Sequence, residues 1–218
     1  MRKHIFLVFL LLTTAVVKAQ NTSKWSVNLR TGFNLADMVG DDAKDEKSGI
    51  GFVIGTEAEW NLNKWISLYG GLQYVRLNGK CDEQYKVIGE NYEYTYEDEK
   101  YMREYIQVPI LFGFHPLKGL TLKAGIQPGW RISSRMKVFE EGWHDSGNGK
   151  EYYTFKNYMG INSQTRQFAF DIPVGASYEY HNVILDARYH FALNKFFKEV
   201  MDMRNSYLTI TLGYKFNM

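Results

Sequence analysis

The residues best suited by type to do chemistry are His190 and Asp171. A carboxylate that holds an imidazole is half of a hydrolase site, and Ser133 or Ser134 could supply the nucleophile. If Tyr180 and His181 centre the turn between the two segments that carry the pair, His190 and Asp171 become cross-strand neighbours. No serine motif accompanies them, and a satisfied internal His–Asp hydrogen bond explains the same residues without catalysis. Two acidic groups, Asp41, Asp42, Asp45 and Glu46 and then Glu140, Glu141, His144 and Asp145, match no metal-ligand spacing and read as solvated charge. No phosphate loop or zinc spacing is present, so the chain is expected to hold neither cofactor nor metal.

A second group of charges lies inside strongly apolar segments. Arg30, Glu57, Lys123, Arg131, Asp171, Asp186, Arg188 and Lys215 alternate with large apolar side chains. Eight such segments follow residue 24, at 25–37, 49–60, 65–77, 101–114, 120–133, 165–180, 183–193 and 206–218. In the first, Val27, Leu29, Phe33 and Leu35 share one face, while Asn28, Arg30, Gly32 and Asn34 share the other. That period of two is the signature of a strand with one apolar side. The connections alternate in length: 61–64, 115–119 and 181–182 are short, and the others are long and polar. This is the pattern of an all-β fold, an eight-stranded antiparallel up-and-down transmembrane β-barrel. Its short turns are expected in the periplasm with both termini, and its long loops outside the cell.

Periodicity alone does not choose the outward face, and a lipocalin-like barrel would turn the apolar face inward. Eight strands leave a lumen only wide enough to be filled by side chains, and the apolar face here is uniformly bulky. The other face mixes glycine with opposite charges, which suits a narrow, paired interior. Arg30 is expected to bridge to Glu57, and Arg131 or Lys123 to Asp171, because an unpaired interior charge is costly. Aromatic residues near the segment ends fit two interfacial girdles, with Trp25, Trp60, Phe114, Tyr178 and Phe216 on the turn side. Phe33, Tyr74, Trp130, Phe168 and Tyr207 are expected on the loop side. The aromatic share of 16% and the 19 glycines agree with such a barrel.

Residues 1–19 read as a signal peptide: Arg2 and Lys3, an apolar run, then Val17-Lys18-Ala19 before Gln20. Residues 20–218 would form the barrel domain. Losing Arg2, Lys3 and Lys18 takes the formal charge from +2 to −1, which removes the electrostatic basis for a nucleic-acid partner. Cys81 is the only cysteine, so no internal disulfide forms.

Several short stretches are similar to a known family. Tyr105-Ile106-Gln107-Val108-Pro109-Ile110-Leu111, Ala124-Gly125-Ile126-Gln127-Pro128-Gly129, Asp186-Ala187-Arg188-Tyr189 and Leu212-Gly213-Tyr214-Lys215-Phe216 resemble strands of the PorT-like outer-membrane β-barrel family of Bacteroidetes. The resemblance implies barrel architecture and, through the family's named member, an association with type IX secretion. It assigns no functional residue.

The long connections hold the remaining signal. Tyr92, Tyr94 and Tyr96 lie in an acidic, tyrosine-rich stretch, and Trp143, Tyr152 and Tyr153 in a glycine-flanked one. Such aromatics suit contact with a protein or glycan partner; equally, the alternation with threonine would prolong the strands as a rigid rim. The leading expectation is a non-enzymatic protein among outer-membrane lipids, with a charge-plugged lumen and loops that meet a partner, accessory to secretion or surface assembly. The alternatives are a small hydrolase at the lumen mouth using His190 and Asp171, and a narrow channel.

Overall fold

The computed structural model describes residues 24–40, 46–81, 85–89, 92–145, 149–198 and 203–218. The expected signal peptide and Asp41, Asp42 and Asp45 lie outside these residues, as do the side chains of Glu46, Cys81, Tyr94 and Tyr96. Eleven strands carry the fold: β1 (Trp25–Val39), β2 (Glu46–Asn61), β3 (Ile66–Cys81), β4 (Tyr85–Ile88), β5 (Tyr92–Gln107), β6 (Ile110–Leu117), β7 (Leu120–Asp145), β8 (Lys150–Gly160), β9 (Phe168–Tyr180), β10 (Val183–Ala192) and β11 (Arg204–Asn217).

Every pairing is antiparallel, and the ladder returns to its start. It runs β1–β2–β3, then β5 and β6, then β7–β9–β10–β11 and back to β1. Strands β5 and β6 are two halves of one stave, both paired to β3 on one side and β7 on the other. The break falls at Val108-Pro109, where proline has no N–H to give the ladder. The local bonds are Val108 N–H to the Pro128 carbonyl (2.9 Å) and Gly71 N–H to the Pro109 carbonyl (3.0 Å). The ring therefore has eight staves, and closure leaves no sheet edge within it.

Its faces are inverted relative to a water-soluble domain. Along β10, Val183, Leu185, Ala187 and Tyr189 are exposed while Ile184, Asp186, Arg188 and His190 are buried. Leu29, Phe33, Ile54, Leu72 and Leu212 are all more than half exposed, whereas Arg30, Glu57 and Arg188 are at most 5% exposed. A barrel with apolar atoms outside and charges inside is one solvated by lipid.

The two ends differ. At one end the staves are joined by short turns, including His181–Asn182, whose φ values of 47° and 69° form a tight hairpin turn. At the other end β5 and β7 continue far beyond the ring. The 26 residues of β7 run roughly 80 Å at about 3.3 Å each, more than twice the crossing length of a tilted strand. Beyond the ring β5 pairs with β7, β4 adds to β5, and β8 adds to β7. The result is a four-stranded blade, β4–β5–β7–β8, standing on one side of the barrel. Strands β4 and β8 thus resolve the aromatic connections into rim, where the segments 101–114 and 120–133 end earlier in the sequence reading.

Candidate functional site

The interior is built in layers, because every second residue of each stave points inward at a fixed height. Nearest the short turns, Lys215 Nζ lies 2.8 Å from both Glu59 and Glu179, and the Tyr69 hydroxyl donates to Glu59 at 2.8 Å. His115 contacts Ser67 (2.6 Å) and Thr121 (3.0 Å) beside them.

The next layer concentrates charge. Glu57 accepts from Arg30 (3.2 Å), from Lys123 (3.0 Å) and twice from Arg188 (2.7 and 2.9 Å). Asp186 accepts from Lys123 (3.2 Å) and Arg188 (2.7 Å). Five ionised groups from β1, β2, β7 and β10 thus meet across the full width of the lumen. The paired N–H···O bonds of Arg188 to Glu57 have the forked geometry that makes such contacts strong. Three cations face two carboxylates; Lys123 Nζ also sits 4.1 Å from the centre of the Tyr69 ring, whose π face takes up part of the excess charge. Gly175 pairs with Arg188 across β9 and β10. A Cβ there would stand 2.8 Å from Arg188 Cγ and 2.1 Å from the Ala187 carbonyl oxygen, so glycine makes room for the arginine stem.

The third layer is nearly all neutral. The Tyr207 hydroxyl donates to Asp171 (3.1 Å) and lies 2.9 Å from the amide nitrogens of Gln107 and Gln127. Gln73 bonds Gln107 (3.1 Å) and accepts from Arg30 (3.0 Å), joining this layer to the charged one. His190 stacks on Tyr207 with ring centres 4.2 Å apart. Its Nδ1 is 3.2 Å from Gln127 and its Nε2 3.1 Å from Thr209. Above come Ala36, Val53, Val75, Leu77 and Tyr105, a buried apolar layer. Phe196, from the connection between β10 and β11, then tucks against Met38 and under the Arg103 guanidinium. Sequence reading missed Phe196; the Phe196-Phe197 pair in a polar connection was the available signal.

Several expected contacts are therefore relocated. His190 pairs with Pro173, and Asp171 with Ala192. The turn centres on His181–Asn182 rather than Tyr180–His181, which shifts the register by two residues and separates the pair. Lys123 serves Glu57 and Asp186 rather than Asp171. Arg131, opposite Tyr105 on the inward face, bonds the side chain and carbonyl of Asn162 and the carbonyl of Arg166, tying down the connection after β8 rather than reaching Asp171. Tyr207 is 1% exposed and points inward, not into an outer girdle, because its neighbour Leu208 takes the lipid face.

On the blade, Trp143 pairs across the ladder with Tyr152 and Glu93. Lys150 Nζ stands 3.8 Å over the Trp143 ring. Tyr152 is 78% exposed, and with Glu93, Thr95, Glu141, Trp143 and Thr154 it lines a shallow pocket of about 290 Å³. Tyr153 donates to Glu140 at 2.9 Å, and Tyr92 is half-exposed. The backbones of Tyr94 and Tyr96 pair with Gly142 and Glu140. Among the described residues no cluster of His, Cys, Asp and Glu could hold a metal ion.

The chain resembles Ail, the attachment invasion locus protein of Yersinia pestis solved with the heparin analogue sucrose octasulfate, at 14% identity over 88% of this chain and 99% of that one (TM-score 0.47). It resembles Neisserial surface protein A at 15% identity over 89% and 99% (TM-score 0.42). No curated protein sequence matches. Residues 18–198 match the outer membrane protein beta-barrel domain, and the chain belongs to that family.

Proposed function

We infer that this is a non-enzymatic outer-membrane protein whose barrel is a sealed stand and whose blade contacts a protein or glycan partner. One observation carries the reading: the molecule fills its lumen with ion-paired and hydrogen-bonded side chains but extends an aromatic, pocketed sheet well beyond the membrane. The short turns and both termini face the periplasm, and the blade faces outward. The PorT-like resemblance directs the search for the partner toward secretion and surface assembly. Residues 1–19 act as a cleaved signal peptide.

The hydrolase alternative finds little support in the site. His190 is fully buried, both ring nitrogens are engaged, and no serine hydroxyl is among its partners. A narrow channel is opposed by the charged, neutral and apolar layers stacked along one axis.

The test is purification from native outer membrane in mild detergent, with the partner identified by mass spectrometry and glycan array. The reading expects a companion that is lost when Trp143 and Tyr152 are both replaced by alanine. A clean monomer with no glycan bound overturns it. An epitope placed after Asp145 should be reached by antibody on intact cells; protection there reverses the orientation.

A further inference from the structure

Four lysines stand side by side on the outer face of the barrel where the blade begins. Lys47 on β2 lies opposite Lys80 on β3, Lys80 opposite Lys100 on β5, and Lys100 opposite Lys137 on β7. Directly opposed residues share a face, and neighbouring strands are about 4.8 Å apart. The face is the lipid-contacting one, since Lys80 continues the alternation of Leu72 and Tyr74 while Val75 and Leu77 point into the lumen. Two residues nearer the membrane, Arg135 lies on the same face, opposite Met102.

Like charges placed directly across a ladder destabilise it. Among the described residues, no carboxylate lies within ion-pair distance of Lys80, Lys100 or Lys137, although the lumen pairs its own charges closely. Glu104, on the same face, is held by the Tyr74 hydroxyl. Three adjacent cations, Lys80, Lys100 and Lys137, that continue a lipid-contacting surface past its aromatic edge call for anions supplied by that lipid layer.

We propose that the row Lys47–Lys80–Lys100–Lys137, with Arg135 beneath it, binds the phosphoryl groups of a phosphorylated glycolipid in the outer leaflet. The assignment of the leaflet rests on the orientation proposed above; the binding itself does not. Bound phosphates relieve the repulsion between the staves and fix the height and tilt of the blade over the membrane.

The test uses the full protein purified in micelles, titrated with bis-phosphorylated lipid A and with its dephosphorylated form, and read by native mass spectrometry. Micelles are blind to cellular orientation, so failure here is distinct from failure of the epitope experiment. Wild type is expected to prefer the phosphorylated lipid. Replacing Lys80, Lys100 and Lys137 by glutamine should weaken that binding on the order of a hundredfold, while the three arginine replacements retain it. Glutamine at Lys24, Lys64 and Lys118, at the short-turn end, should leave it unchanged. No preference for phosphate in wild type, full binding by the glutamine triple, or equal loss at the short-turn end overturns the proposal.

Discussion

The same two strands, β5 and β7, run through the barrel and the blade and obey opposite rules in each. Inside the ring their inward residues, Gln107, Lys123 and Gln127, are at most 4% exposed and hydrogen-bonded across the lumen. Beyond the ring, side chains on both faces of the sheet meet solvent, and β8 is exposed along nearly its whole length. The change occurs at two irregularities in the β5–β7 ladder, between Glu104 and Tyr105 and between Glu97 and Lys100. Such bulges bend and re-aim a strand. The contrast teaches that an eight-stave lumen is a packing problem with one solution, whereas the blade is constrained by its ladder and free to vary in what it displays.

The contrast would be broken most severely at Glu57. Glu57→Ala leaves Arg30, Lys123 and Arg188 facing one another in a buried layer, and removing one partner of a buried ion cluster costs about 3–5 kcal/mol. Urea unfolding in micelles, followed by heat-modifiable mobility, checks this; a loss below about 1 kcal/mol would mean the lumen is hydrated. Gly175→Ala should come next, at about 1–3 kcal/mol from overpacking against the Ala187 carbonyl and Arg188, with the same readout. Asp171→Asn should cost about 1 kcal/mol, because its partners are neutral and an amide oxygen still accepts from Tyr207. Replacing Trp143 and Tyr152 by alanine should shift barrel stability by no more than about 0.5 kcal/mol while abolishing partner retention. Equal sensitivity of stability and binding at these positions would erase the distinction between the two regions.

Much of this was legible in the chain. Arg30, Glu57, Asp186 and Arg188 alternate with lipid-facing residues, so strand period alone assigns them inward. The outer face followed from volume and charge. Three things were not legible. The register between β9 and β10 depends on which two residues take positive φ at the turn, and a shift of one turn residue separates His190 from Asp171. Tyr207 is amphipathic, so its type fits a membrane girdle as well as a lumen hydroxyl; only its parity with Leu208 decides. The blade strand β8 mixes polar and aromatic residues on both faces and is exposed along nearly its whole length, so its alternation does not distinguish strand from loop.

Closure of the lumen is tested most directly by single-channel recording of the purified wild-type protein in planar bilayers. A closed lumen gives no steady conductance at any ionic strength that leaves the protein folded. A reproducible unitary current, altered by substitutions at Glu57 or Arg188, would show that the layered interior is a gate and contradict it.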